Sequence, residues 1–178
     1  MRVIFLIGFM GSGKSTLGRA LAQRVPGCAF IDLDEEIERR AGMSVREIFD
    51  TLGQERFRAL EADTLRSLCP PEGTQVCVVA TGGGTPCRPG AMEWMNAAGT
   101  TVLLRASDAV LLRRLLQAQG ERPLLRGMDT PRLAAFIREE QLRRAPAYTQ
   151  ALATFPSDLL ENEAEIEQSC NNFIKLYL

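Results

Sequence analysis

The chain has 178 residues, close to one domain's worth and enough to bury one sizeable core. A net charge of −1 offers no general attraction to nucleic acid or an anionic membrane, and no apolar stretch approaches membrane-spanning length. No histidine occurs, which excludes histidine general bases, Ser-His-Asp triads and histidine metal sites; acid–base work falls to Asp, Glu, Lys, Arg or water.

The apolar run Val3 to Ile7 predicts a strand buried on both faces of a parallel sheet. It follows Met1-Arg2 directly, leaving no room for a secretory leader, so a cytoplasmic chain is expected. The five cysteines (28, 69, 77, 87, 170) are odd in number and form no CxxC pair, which fits buried thiols in a reducing compartment. Gly8-Phe9-Met10-Gly11-Ser12-Gly13-Lys14-Ser15 then spells G-x-x-x-x-G-K-S, and a helical segment from Thr16 to Arg24 follows. Strand, loop and helix together are the context that a phosphate-binding loop requires. Glycines let successive backbone N–H groups curve around an anion, and the helix start adds its positive dipole end. Gly11, Ser12, Gly13, Lys14, Ser15 and Thr16 are therefore expected to hold a nucleotide's phosphates. Lys14 would reach the terminal phosphates, and the Ser15 hydroxyl would ligate Mg²⁺.

Cys28 to Ile31 reads as a second strand ending in Asp32-Leu33-Asp34. If strand geometry lasts that far, both carboxylates point the same way and could hold a metal and poise a proton acceptor. Asp34 reads equally well as the N-cap of a helix over 35–41 that stops at Gly42. Ser44-Val45-Arg46-Glu47 spells a capping box, opening a helix with Val45, Ile48, Phe49 and Leu52 on its apolar stripe. Gly53 ends it, and a third helix runs from about Gln54 to Leu68. Three helical pieces between two strands exceed a minimal crossover and suggest an inserted substrate-holding unit over about 34–70. On the last piece, Arg58 with Glu61 at i+3 reads first as a surface ion pair.

Gln75 to Ala80 predicts the third strand, which ends in Thr81-Gly82-Gly83-Gly84. Three glycines at the ligand-binding edge of a parallel sheet let a ligand approach the main chain. Pro89 opens a helix to Ala98 in which Met92, Trp94 and Met95 pack. Thr100 to Leu104 is strand four. Ser107 or Asp108 caps a helix to about Leu116, with Val110, Leu111 and Leu115 inward and Arg113 and Arg114 elsewhere. Residues 117–129 carry two glycines and the arginines Arg122 and Arg126, a composition suited to a closing lid. A helix from Thr130-Pro131 is expected to end near Ala145-Pro146. Ala153 to Phe155 is a short fifth strand, and Asn162 opens a last amphipathic helix with Glu165 as capping-box partner. The third strand ends without a carboxylate and no N-K-x-D run exists, so the residues favour phosphoryl transfer from ATP with Mg²⁺ over a GTPase.

The order and spacing of G-F-M-G-S-G-K-S (8–15), F-I-D-L-D (30–34), S-V-R-E-I-F (44–49), Q-E-R-F-R-A-L-E (54–61), T-G-G-G (81–84), R-P-L-L (122–125) and R-A-P-A-Y (144–148) resemble shikimate kinase over almost the whole chain. The resemblance implies a P-loop NTPase fold of the nucleoside-monophosphate-kinase type. This is a three-layer α/β/α single domain with a five-stranded parallel sheet, the core over 1–33, 73–116 and 130–178, and a lid at 117–129. It implies transfer of the ATP γ-phosphate to the 3-hydroxyl of shikimate. Apart from the resemblance, a cytoplasmic monomer without nucleic-acid or membrane partners is expected. By position, Asp34 would contact the shikimate hydroxyls and act as base, and Arg58 and Arg144 would clamp the carboxylate. Gly82, Gly83 and Gly84 would line the substrate. Arg122 would be the lid arginine that reaches both phosphate and substrate. Asp32 would hold Mg²⁺ through water, Glu61 would steady Arg58, and Arg113 or Arg114 would stack on adenine. Residues 85–89 (T-P-C-R-P) depart from the commonest family spelling. Two other readings stand beside this one: a kinase of another small hydroxy acid such as gluconate, and a catalytically silent nucleotide-binding module.

Overall fold

Five parallel strands form one sheet in the order β2-β3-β1-β4-β5: β1 (Arg2–Ile7), β2 (Cys28–Asp32), β3 (Val76–Ala80), β4 (Thr100–Arg105) and β5 (Ala153–Pro156). The structure, a computed structural model, describes residues 1–118, 125 and 127–178. Alternation along the central strand β1 sorts the core. Ile4 and Leu6 join Leu17, Leu21, Val102, Phe155 and Phe173 on one face, beneath α1 (Lys14–Arg24) and α7 (Glu163–Tyr177). Phe5 and Ile7 join Leu33, Ile37, Phe57, Met92 and Met95 on the other. That face lies beneath α2 (Leu33–Ala41), α3 (Val45–Arg66) and α4 (Ala91–Ala98). A third cluster fills the space under α5 (Asp108–Gln117) and α6 (Thr130–Tyr148) with Phe9, Leu111, Leu115, Leu133 and Ile137. The three-layer α/β/α arrangement expected from the sequence is the observed one.

Local signals set most boundaries. Ser44 and Glu47 form the full reciprocal capping box of α3, and Gly53 breaks that helix with φ 78 and ψ 170. Several expectations need correction. Strand geometry stops at Asp32, and Asp32 rather than Asp34 caps α2, accepting the Asp34 N–H at 3.1 Å. Leu52 is exposed, because the Gly53 break and the Phe49–Phe57 stack, centroids 4.5 Å apart, turn the α3 stripe away from it. α4 starts at Ala91 behind the cap Gly90, so Pro89 lies before the helix and not in its first turn, and Thr85–Cys87 form an unexpected 3₁₀ turn. The sixth helix does not stop at Pro146 but continues to Tyr148, where the buried ring and the hydroxyl's bond to Gly83 O hold the last turn. At α7, Asn162 accepts the Glu165 N–H, while the Glu165 carboxylate reaches the N–H of Glu161, one residue early for a capping box. All five cysteines are free; Cys77 and Cys170 are buried, whereas Cys69 and Cys87 are exposed.

The register brings the ligand edge together. Asp32 pairs with Ala80, and Ala80 pairs with Leu6, so the ends of β2, β3 and β1 stand side by side. The strand order changes direction across β1, the topological position where open α/β sheets bind ligands. Gly99, between α4 and β4, has extended backbone that any residue could adopt, yet a Cβ there would stand 2.4 Å from Val3 O. Since a backbone atom forms that wall, Gly99→Ala is expected to lower stability by about 1–3 kcal/mol, read as a lower urea midpoint. An unchanged midpoint would show that β1 yields without cost.

Candidate active site

The phosphate loop runs from the end of β1 into α1. Gly8, Gly11 and Gly13 hold positive φ, and a Cβ on Gly8 would lie 2.5 Å from Leu104 O, so the loop's path admits only glycine there. Lys14 is the first residue of α1 and is almost fully buried. Its ammonium donates to Gly8 O at 2.8 Å and Phe9 O at 2.9 Å, which keeps a desolvated charge satisfied. Ser15 Oγ donates to Asp32 Oδ2 at 2.5 Å. That bond joins the loop to the end of β2 and sets two hard oxygen donors side by side, a donor type suited to Mg²⁺. Among the described residues no cluster of three or more acidic, Cys or His side chains could hold a metal alone. An ion seated here would draw its other ligands from phosphate and water, as Mg²⁺ commonly does.

Asp34 enters the same space from the first turn of α2. Burial, then the neighbouring Asp32 and Glu61 charges, push its carboxyl up from the usual 3.8 to about 6, with the Lys14 ammonium opposing. A carboxylate of that basicity, still ionised at neutral pH, is suited to accept a hydroxyl proton. One cavity of about 570 Å³ is lined by Gly11, Gly13, Lys14, Ser15 and Thr16, by Asp32 and Asp34, and by Gly82 and Gly83. At its far end stand Arg114, Leu115, Gln117 and Leu160.

The glycine run closes the substrate side. A Cβ on Gly82 would lie 3.1 Å from Glu61 Oε1 and 3.4 Å from Asp34 Oδ1. On Gly83 it would lie 2.8 Å from an Arg144 Nη, and on Gly84 3.2 Å from an Arg58 Nη. The three residues named as carboxylate clamp and base thus converge on three consecutive glycines, although Arg58, Arg144, Gly84 and Ser12 do not line the large cavity itself. Arg58 Nη1 donates to Glu61 Oε2 at 2.9 Å, and Glu61 is buried, so this pair is not the surface bridge that its spacing first suggests. Arg144 is nearly buried, paired with Glu140 at 2.6 Å and stacked over Phe9 at 5.0 Å. Tyr148 OH donates to Gly83 O at 2.8 Å; burial pushes this phenol up to about 12, so it remains a donor.

The structure also separates the two candidate adenine neighbours. Arg114 lines the cavity and donates to Gly11 O at 3.1 Å, whereas Arg113 is half exposed and paired with Glu161. Arg122 and Arg126, with most of the expected lid, lie outside the described residues. Sequence reasoning gave no role to Tyr148, Thr85 or Glu140. Tyr148 and Glu140 were within reach, each one helical turn from Arg144. Nothing local signals Thr85.

A glycine loop curved as a phosphate requires on one side, and a carboxyl of raised basicity on the other, fit the demands of phosphoryl transfer to a hydroxyl, and the class is a P-loop small-molecule kinase. The chain belongs to the shikimate kinase family, whose model matches residues 10–176. It is 40% identical over 176 residues to a shikimate kinase of Parabacteroides distasonis, covering 99% of each chain. A shikimate kinase of Bacteroides thetaiotaomicron is 43% identical over 173 residues, covering 97% of each. Among solved structures, a Bacteroides thetaiotaomicron shikimate kinase superposes with TM-score 0.89 at 41% identity, over 98% of this chain and 97% of that one. An Acinetobacter baumannii shikimate kinase in complex with shikimate gives TM-score 0.80 at 30% identity, over 99% and 92%.

The raised Asp34 carboxyl has a stability consequence. Between 3.8 and about 6 the folded state binds a proton that the unfolded chain has released, so folding stability falls as pH rises through that window. Asp34→Asn escapes this loss. In magnesium-free buffer the variant is expected to be the more stable above pH 6, by at most about 3 kcal/mol, with the advantage gone below pH 4. Parallel denaturation midpoints across pH for the two proteins would refute the assigned burial cost.

Proposed function

We infer that this chain is an ATP-dependent shikimate kinase, moving the γ-phosphate of ATP to the 3-hydroxyl of shikimate with release of ADP. The supporting observation is the convergence of Asp34, Arg58 and Arg144 on Gly82–Gly84 beside Lys14. A ring acid with one carboxylate and several hydroxyls calls for such an arrangement: two guanidinium groups for the planar carboxylate, bare main chain against the ring, and a carboxylate for the hydroxyls.

Each residue has a task in that reaction. The amides of Gly11 to Thr16 and the start of α1 hold the phosphates. Lys14 exchanges loop carbonyls for phosphate oxygens and stabilises charge on the moving group. Asp34 aligns the attacking hydroxyl and accepts its proton. Ser15, and Asp32 through water, would hold Mg²⁺, which when bound neutralises charge shared by the β- and γ-phosphates. Arg114 flanks the base, and Arg122, on the resemblance alone, meets the transferring phosphoryl. We take 34–70 as the substrate-holding insertion and 117–129 as the lid. We take the enzyme to act as a monomer. No described helix is long and apolar enough to cross a membrane, in keeping with a cytoplasmic enzyme.

A coupled assay of ADP release should show turnover on shikimate and negligible turnover on gluconate; the reverse pattern would overturn the substrate assignment, and ATP binding without any phosphorylated acid would point to a silent module. Asp34→Asn should leave ATP binding nearly intact and lower turnover by ~10²-fold or more. Arg144→Ala should raise the shikimate KM by about tenfold or more, the scale of a lost charged partner. An unaltered KM would reassign Arg144 to a purely structural pair with Glu140.

A further inference from the structure

Thr85 stands immediately after the glycine run, in the segment whose spelling departs from the family's commonest one, and no role above accounts for it. Its hydroxyl is buried and donates to Glu61 Oε1 at 2.6 Å. The other carboxylate oxygen, Glu61 Oε2, accepts from Arg58 Nη1 at 2.9 Å. Thr85 also closes the turn through its backbone, donating its N–H to Gly82 O at 3.1 Å. One residue therefore fixes both the glycine turn and the carboxylate that holds Arg58.

Glu61 is 1% exposed, so its charge depends on these partners. The two hydrogen bonds use different oxygens, which sets the tilt of the carboxylate plane as well as its position. Arg58 then lies against the Phe57 ring at 5.2 Å, with Nη2 the guanidinium nitrogen nearest Gly84 and the Glu61-bonded Nη1 next to it. With the Thr85 hydroxyl removed, Glu61 Oε1 loses its donor, the carboxylate can turn, and the guanidinium turns with it. We propose that Thr85 is a positioning residue for substrate recognition, acting through Glu61 to aim Arg58 at the substrate carboxylate. The proposal rests on the reading of Arg58 as a carboxylate clamp.

Steady-state kinetics on Thr85→Val, Thr85→Ser, Arg58→Ala and the Thr85→Val/Arg58→Ala double variant test it. Thr85→Val should raise the shikimate KM about tenfold, the scale of a hydrogen bond to a charged group, with kcat and the ATP KM within about twofold. Thr85→Ser should restore the parent KM, and Thr85→Val should add nothing once Arg58 is gone. An unchanged shikimate KM in Thr85→Val, an equal rise in the ATP KM, or full additivity in the double variant would overturn the proposal while leaving the clamp reading intact. If Arg58→Ala itself leaves the shikimate KM unmoved, the clamp reading fails, and the proposal with it. Should Thr85→Val not fold, Thr85→Ala removes the same hydroxyl without crowding; failure of both to fold makes Thr85 structural and overturns the assignment.

Discussion

Charge held out of water at one sheet edge is the constraint on which the rest of this structure depends. Lys14, Glu61 and Arg144 are all nearly buried, and Asp34 is largely so. Burying a charge is costly unless partners replace its water. The fold supplies them one by one: loop carbonyls for Lys14, Arg58 and Thr85 for Glu61, and Glu140 with the Phe9 ring face for Arg144. The Asp34 side chain is the exception. Among the described residues its carboxylate has no hydrogen-bonded partner, and two acidic neighbours reinforce the cost of burial. The group assigned to take the proton is thus the one of these four charges that the fold leaves least satisfied. Satisfying Asp34 with a permanent donor would lower its basicity and occupy the position where a hydroxyl must bind.

This distribution decides what the sequence could reveal. The phosphate loop was legible because its function is written in contiguous residues whose backbone geometry the spelling itself imposes. The glycine run was legible for the same reason. The Asp32/Asp34 pair was legible as a pair but not in its parts. Alternation predicts a shared direction only while strand geometry persists, and here the helix begins at Leu33. The cap, Asp32, and the carboxyl of raised basicity, Asp34, therefore line one cavity in different roles, a distinction between residues two positions apart that no pattern of residue types resolves. The burial of the Arg58–Glu61 pair was illegible from spacing alone. An i,i+3 pair looks the same in sequence whether it lies in solvent or, as here, with its acid buried under a glycine turn.

Thr85 and Pro146 fail for a related reason: long-range contacts override local preference. Nothing near Thr85 in sequence indicates that Glu61, twenty-four positions earlier, will need a second donor. A proline normally ends a helix because it removes one backbone bond and crowds the preceding turn. In α6 it comes two residues before the end, where only one more turn has to be held. Tyr148 holds it, through a buried ring and a hydroxyl bonded to Gly83 O. A terminator costing about 3 kcal/mol is within reach of one buried aromatic side chain with a satisfied hydroxyl.

That extra turn changes what α6 does. Arg144 and Tyr148 are four residues apart, so they share one face of the helix, and both meet Gly83: the guanidinium beside its Cα and the hydroxyl on its carbonyl. Because the peptide is trans and planar, fixing the Gly83 carbonyl also fixes the opposite direction of the Gly84 N–H. The helix therefore grips the glycine run at a peptide plane as well as at a side chain. A rotation of α6 that withdrew Arg144 would also break the Tyr148 bond and free that plane. At its other end α6 starts at Thr130, capped by Asp129, which accepts the Arg132 N–H at 2.9 Å. One helix thus runs from the residue after the segment assigned as the lid to the main chain assigned to the substrate, and Pro146 has to lie inside it for Tyr148, as well as Arg144, to reach Gly83 from the same face.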